Sequence, residues 1–163
     1  MEDDKYQKLR DYALKLLSFR PRSYKELSGR LMQYSIKKGI PKTVVEKIIS
    51  ELSEQNLIND EEFAVWWIEQ RRSSRKPKGQ KVIELELLQK GIDKELIGKL
   101  LSGNNDSMES EFQNALSLAS KKQFLYKNYP PQEARAKIGG YLFRRGFTWV
   151  IINRVIDSIF TKE

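Results

Sequence analysis

The chain has 163 residues, a formal net charge of +8 and a pI near 9.6, with neither cysteine nor histidine. Disulfides, thiolate chemistry, the usual zinc sites and imidazole acid–base catalysis are therefore excluded. The excess of cations favours a polyanionic or acidic partner. No apolar run is long enough to span a bilayer, so we expect a soluble, unprocessed, cytoplasmic protein.

One pattern occurs three times and decides the fold prediction. A glycine follows a basic residue at Gly39, Gly91 and Gly146, and apolar residues then fall at offsets five, six, nine and ten from each glycine. Offset eight is always basic: Lys47, Lys99 and Arg154. Spacings of three and four mark one face of a helix, so each run is predicted to bury one side and expose its cation. Each glycine is predicted to end the preceding helix in the left-handed conformation.

A helix with one apolar face of four residues cannot be stable alone, because burying that face gains less free energy than ordering its backbone costs. It needs the two helices that precede it. The sequence therefore predicts an all-α fold of three tandem three-helix repeats, with boundaries at residues 1–58, 59–104 and 105–163.

The first repeat carries clear start and stop signals. A helix over residues 5–18 is predicted to end before Pro21. Ser23 and Glu26 form a capping-box pattern that starts a second helix. Three residues of that helix are expected to be buried: Leu27, Leu31 and Ile36. Pro41 suits the first turn of the third helix, where a missing amide costs nothing.

The second repeat begins at Asn59, which is predicted to cap a helix rich in carboxylates at its start. Residues 71–81 then interrupt the helical pattern at Pro77 and Gly79. A further helix is predicted over residues 80–89. Its apolar residues are too many for a single contact face: Val82, Ile83, Leu85, Leu87 and Leu88.

The third repeat follows a predicted linker at residues 103–106, and Ser107 or Asn105 is expected to cap its first helix. The pair Gly139-Gly140 inside the second helix indicates either a local weak point or the close approach of another helix. Thr148 is predicted to cap the last helix.

The cations form three groups that we interpret as candidate binding residues. Residues 71–81, the basic segment, hold six cations and no acid: Arg71, Arg72, Arg75, Lys76, Lys78 and Lys81. We interpret this segment as a mobile binding strip rather than a solvated connector, since phosphates and acidic grooves bind clustered cations without precise geometry. The smaller groups are Arg20, Arg22, Lys25 and Arg30 in the first repeat, and Lys137, Arg144 and Arg145 in the third.

Enzymatic chemistry has little support in the sequence. No glycine-rich motif for binding nucleotide phosphates is present, and the carboxylates of Asp60, Glu61 and Glu62 are explained by their position at a helix start. We therefore expect no catalytic residue, no metal site and no cofactor. A helix-turn-helix reader of DNA is also disfavoured, because acids and bases alternate on the outward faces of the candidate recognition helices.

Several stretches together resemble the RecX family of bacterial recombination regulators over nearly the whole chain. They are Arg20-Pro21-Arg22-Ser23, Leu57-Ile58-Asn59-Asp60-Glu61-Glu62-Phe63-Ala64, Glu86-Leu87-Leu88-Gln89-Lys90-Gly91-Ile92 and Arg145-Gly146-Phe147. The resemblance implies an elongated, curved array of three-helix repeats. It also implies binding in the groove of the RecA filament on DNA, which restrains strand exchange, ATP turnover and coprotease action.

From the residues and the resemblance together, we predict a noncatalytic, monomeric regulator whose partner is the RecA nucleoprotein filament. Weak direct binding to single- or double-stranded DNA is a further expectation. The alternative is a small helix-turn-helix-like DNA-binding or transcription factor, and a remote third is a carboxylate-dependent nuclease.

Overall fold

The computed structural model describes residues 2–102 and 105–160. Over those residues the chain contains nine helices and no β-strand, as predicted for an all-α fold. The helices are α1 Glu2–Phe19, α2 Tyr24–Lys38, α3 Lys42–Glu54, α4 Asp60–Arg72, α5 Gln80–Gln89, α6 Lys94–Leu101, α7 Asn105–Leu125, α8 Pro131–Arg144 and α9 Trp149–Phe160. Residues 103 and 104 of the predicted linker and the side chain of Asn105 lie outside the described part.

Local capping chemistry confirms most of the predicted helix starts. The Ser23 Oγ accepts a hydrogen bond from the Glu26 N–H at 3.2 Å, and a Glu26 oxygen accepts from the Ser23 N–H at 3.4 Å, which completes the capping box. Asn59 Oδ1 accepts from the Glu62 N–H at 3.0 Å. Thr148 directly precedes α9, and its Oγ1 lies 3.5 Å from the Ile151 N–H.

The predicted cap at Ser107 is wrong. Helix α7 already begins at Asn105, so Ser107 lies inside its first turn rather than before it. With the helix beginning at Asn105, Asp106 lies in the first turn, where the helix dipole favours its negative charge.

The three repeat glycines adopt the predicted conformation. Their φ angles are +66° at Gly39, +82° at Gly91 and +99° at Gly146, which is the left-handed region. The cations at offset eight, Lys47 and Lys99 and Arg154, are all exposed. The repeat pattern therefore identified real helix ends and the outward faces of α3, α6 and α9.

The first compact unit comprises Met1–Trp66 with Leu88–Leu96. Helices α1, α2 and α3 pack on one another around fully buried leucines, among them Leu9, Leu27 and Leu31. The predicted burial of Ile36 is wrong, because its side chain is 78% exposed. Leu27, Leu31 and Ser35 share one face at four-residue spacing, and Ile36 lies about 140° around the helix from Leu31, at the middle of that face.

The second compact unit comprises Trp67–Leu87 with Ile97–Glu163. Helices α7, α8 and α9 pack around a core that includes Ile138, Phe147 and Ile152. A Cβ atom on Gly139 would lie 3.3 Å from Ile156 Cδ1, so this glycine reflects close approach of α9 to α8. Neither unit coincides with one predicted repeat, and the repeat boundaries stay a prediction.

Helix α5 is less buried than its composition predicts. Ile83 and Leu87 are fully buried, whereas Leu85 is 60% exposed and Leu88 is 38% exposed. The expectation that α5 buries more than one face is therefore wrong for those two leucines.

None of the described helices combines the length and apolarity that crossing a membrane requires.

Candidate partner-binding surfaces

A shallow groove of about 270 Å³ in the first unit gathers three cations, which are Lys25, Arg30 and Lys90. The amide side chains of Gln33 and Gln89 also line it, as does the carboxylate of Glu26. We call this the first basic groove. Lys25 and Arg30 were predicted as binding residues from the sequence, whereas Lys90 and the two glutamines were not. The groove can present positive charge and amide donors together to a phosphate or a carboxylate.

The first basic groove exists because the start of α2 packs on the turn after α5. The Ser23 Oγ donates to the Lys90 carbonyl oxygen at 2.7 Å, and Lys25 Nζ donates to the Gln89 carbonyl oxygen at 3.4 Å. A Cβ atom on Gly91 would lie only 2.7 Å from Lys25 Cβ, so the close packing requires glycine there. These backbone contacts fix the spacing of the groove cations.

A half-buried carboxylate, Glu26, binds cations from two sides. Its Oε2 lies 2.5 Å from Arg20 Nη2 and 3.1 Å from Lys90 Nζ. Burial alone would raise the pKa of Glu26, but hydrogen bonds from Arg20, Lys90 and the Ser23 N–H outweigh it and leave that pKa below its ordinary value. Arg20 also lies over the Trp66 ring, 6.0 Å from its centroid, and therefore has a structural role.

Arg22, the remaining predicted cation of the first repeat, is half-buried. Its Nε donates to the Leu16 carbonyl oxygen at 3.5 Å. Burial, together with the neighbouring charge of Arg20, lowers the pKa of Arg22. Of the four cations predicted here, Lys25 and Arg30 are the exposed pair.

The basic segment is not the mobile strip that the sequence predicted. Arg71 Nε lies 2.8 Å from one oxygen of Glu86, and Lys78 Nζ lies 3.2 Å from the other. The Arg71 guanidinium also stacks 4.4 Å above the Trp67 ring. The segment contains no acid of its own, but the fold supplies Glu86 from α5, and this anchors both ends of the segment. Pro77 is buried as well.

The segment also packs on the turn between α8 and α9. The Gly79 N–H donates to the Arg145 carbonyl oxygen at 2.8 Å, and the Lys81 N–H donates to the Gly146 carbonyl oxygen at 3.0 Å. In return, Arg145 Nη2 donates to the carbonyl oxygens of Lys76 and Pro77, the latter at 3.2 Å. Two groups that are separate in the sequence therefore form one surface.

We call this combined region the second basic surface. Its exposed members are Arg75, Lys76, Lys81 and Arg144. Arg71, Lys78 and Arg145 hold the region together through the contacts described above and are half-buried. The surface thus presents exposed cations to solvent, and the half-buried cations hold its backbone in place.

Arg72 points toward the interior and has a different environment. Its carbonyl oxygen accepts from Asn114 Nδ2 at 3.2 Å, and its charge acts on Glu111, which is only 4% exposed. Burial raises the pKa of Glu111, and the opposing effects of Arg72 and of the Gln80 backbone reduce that increase without cancelling it. Arg72 is therefore a poor candidate for contacting a partner.

The last predicted cation, Lys137, lies on α8. Its Nζ is 5.3 Å from the centre of the Tyr129 ring and 5.9 Å from that of Tyr126.

Across residues 2–102 and 105–160, no group of three or more His, Cys, Asp or Glu side chains is placed to hold a metal ion. What the described surfaces offer is electrostatic binding of anions.

The two basic regions share one structural device. In each, the start of a repeat's second helix packs on the glycine turn of the following repeat: Ser23 on Lys90-Gly91, and Gly79 on Arg145-Gly146. In both places the basic residue before the glycine binds the preceding repeat. Lys90 forms an ion pair with Glu26, and Arg145 donates hydrogen bonds to backbone carbonyl oxygens. We call these contacts the repeat junctions.

Comparison with known proteins matches three family models along the chain. They are described as the first, second and third three-helix domains of RecX, and they match residues 10–52, 59–101 and 109–156. A regulatory protein RecX of Chlorobium limicola is 32% identical, covering 98% of this chain and 94% of its own length. One of Corynebacterium efficiens is 34% identical, covering 89% of this chain and 68% of its own length.

Two solved structures are also similar. The crystal structure of RecX from Lactobacillus salivarius superposes with a TM-score of 0.83 at 27% identity, covering 96% of this chain and 97% of that one. A second crystal structure, of a regulatory protein RecX, gives a TM-score of 0.79 at 26% identity over 96% of this chain and 73% of the other.

Proposed function

The chain belongs to the RecX family of regulatory proteins, and we propose that it is a noncatalytic regulator that binds the RecA–DNA filament and restrains its recombinase, ATPase and coprotease activities. The observation that carries this proposal is the second basic surface, where outward cations stand on a backbone fixed by Glu86 and the α8–α9 turn. A backbone that is already fixed loses little conformational freedom on binding, which favours a specific acidic surface.

A protein surface, rather than bare DNA, is the partner that the charge pattern favours. On α3 the outward Lys42 pairs with Glu46 at 4.0 Å, and on α9 the outward Arg154 pairs with Glu109 at 3.0 Å. These carboxylates interrupt a continuous track for phosphates, which they would repel. The same pairs weaken the alternative of a helix-turn-helix-like DNA-binding factor, since α3 and α9 would be its recognition helices.

The test neutralises the outward cations and leaves the anchoring ones in place. In one variant Arg75, Lys76 and Lys81 are all changed to Gln. Its control removes the same charge from exposed sites of the first unit, by changing Lys15, Lys37 and Lys38 to Gln. Both variants should fold, since exposed substitutions shift stability by only about 0.5 kcal/mol per site.

We expect the first variant to need about tenfold more protein for half-inhibition of filament ATPase, because three exposed ion pairs at roughly 0.5 kcal/mol each give about 1.5 kcal/mol. The control should inhibit normally, and binding to naked single-stranded DNA should change little for either. If both variants inhibit like the unmodified chain, the second basic surface is not the site and the first basic groove becomes the candidate. If naked-DNA binding falls with inhibition and the salt slope flattens by about 2, phosphates are the partner instead.

A further inference from the structure

The corner between α7 and α8 in the second unit contains a pocket that has no part in the two basic surfaces. Its volume is about 290 Å³, at the lower end of the range for small-ligand sites. Three aromatic rings line it, from Tyr126, Tyr129 and Phe160. Two cations, Lys127 and Arg135, line it as well, and the described lining residues include no carboxylate. We call it the aromatic pocket.

The rings and cations of the aromatic pocket are arranged in contact. Tyr126 and Tyr129 meet edge to face, with ring centres 5.4 Å apart and planes at 86°. The Arg135 guanidinium lies 5.2 Å from the centre of the Phe160 ring, and Lys137, two residues further along α8, lies above both tyrosines. Tyr129 is 42% exposed, so its ring can be reached by a ligand from solvent.

A ligand that suits this pocket needs a planar face for the rings and negative charge for the cations. Every nucleotide unit has both, because each base has a π-face and each phosphate carries charge, and aromatic rings beside basic side chains are the usual means of binding single strands. An acidic peptide would pair with Lys127 and Arg135 but would offer no planar group to stack on the exposed part of the Tyr129 ring.

We propose that the aromatic pocket binds one nucleotide, with its base against Tyr129 and its phosphate near Arg135. The nucleotide is either free or one unit of a single strand. This site is independent of the proposed filament binding, since none of the cations of the second basic surface takes part. Its test therefore omits the filament, and each idea can fail without the other.

The experiment uses 2-aminopurine, whose fluorescence is quenched when the base stacks. One probe is 2-aminopurine riboside monophosphate, and the other is an oligo(dT) with a single central 2-aminopurine. The variants are Tyr129→Ala, which removes the exposed ring, and Arg135→Gln, which removes a cation. Their controls are Phe19→Ala, which removes an exposed ring of α1, and Lys121→Gln, which removes an exposed cation of α7; neither residue lines the pocket.

We expect the unmodified protein and both controls to quench at least one probe. Tyr129→Ala should weaken binding about tenfold, which is typical for loss of one base–aromatic stack, and should remove the quenching. Arg135→Gln should keep the quenching at saturation but flatten the salt dependence by about 0.7 for one lost phosphate contact. Quenching of the oligonucleotide alone identifies a strand as the source, and quenching of the monophosphate alone identifies a free nucleotide. Quenching of both probes shows that the pocket accepts the nucleotide unit from either source.

Absence of quenching for both probes would overturn the proposal, and so would equal quenching by Tyr129→Ala. A labelled oligoglutamate that binds the unmodified protein but not Arg135→Gln, while neither nucleotide probe is quenched, would assign the pocket to acidic peptides instead. Thermal unfolding of each variant checks that its fold is retained.

Discussion

Adding a single methyl group at residue 79 tests how the basic segment is held. A Cβ atom on Gly79 would overlap the carbonyl carbon of Gly146 and the nitrogen of Phe147, and would come within 2.5 Å of the Gly146 oxygen. All three are backbone atoms, so no flexible side chain can move aside. The φ angle of Gly79 is not in the left-handed region, so the requirement for glycine here is steric.

The magnitude follows from the contacts that must open. Gly79→Ala separates two backbone hydrogen bonds, from Gly79 to Arg145 and from Lys81 to Gly146. Their loss costs about 1 kcal/mol each. Strain from the added methyl costs about 1–3 kcal/mol, and the stiffer unfolded chain returns roughly 0.5–1 kcal/mol. We therefore expect Gly79→Ala to lower the free energy of unfolding by about 2–4 kcal/mol.

Urea unfolding followed by circular dichroism measures this free energy. The matched control is Gly29→Ala in α2, where a Cβ atom would meet nothing within 4 Å. That control should gain up to about 1 kcal/mol, since alanine favours a helix interior over glycine. A loss below about 0.5 kcal/mol for Gly79→Ala, with an unchanged m-value, would show that the segment does not pack on Gly146 as described.

Two further predictions concern single sites. Gly91→Val should lower the free energy of unfolding by at least about 1–2 kcal/mol, because a left-handed backbone disfavours a β-branched residue and the new Cβ would overlap Lys25; an unchanged melting temperature would contradict this. Burial raises the pKa of Glu111 above its ordinary value of 4.5, so its contribution to stability is present below pH 4.5 and is lost as pH rises through the raised pKa. Glu111→Gln should therefore raise the melting temperature at pH 7 but not at pH 4, and a decrease at pH 7 would show that attraction to Arg72 dominates.

Features encoded by local chemistry were predictable from the sequence. A capping box needs only Ser23 and Glu26 three residues apart, and a left-handed helix end needs only a glycine at the right place. The pattern around each glycine then gave the number of repeats, because it occurs three times, and each repeat needs three helices to bury its apolar faces. The early start of α7 and the exposure of Ile36 were not predicted. In each case neighbouring residues were alternatives for one position, the cap of α7 and the buried face of α2.

The candidate surfaces were less predictable, because their contacts join distant residues. Nothing near residues 71–81 shows that Glu86 will neutralise Arg71 and Lys78. Lys90 was not predicted as a binding residue, because its place before Gly91 indicated only a helix end. A signal was nevertheless present, since Lys90 and Arg145 hold the same place before their glycines, and the structure gives both a role in binding the preceding repeat.

The repeat junctions decide where this chain can be divided. Ser23 and the Lys90 carbonyl that it binds are 67 residues apart, on opposite sides of the predicted boundary at residue 58. A fragment that stops at this boundary would lose the partner of Ser23 and one of the two cations that balance Glu26. We therefore expect a fragment of the first repeat to be more stable when it includes the glycine turn of the next repeat.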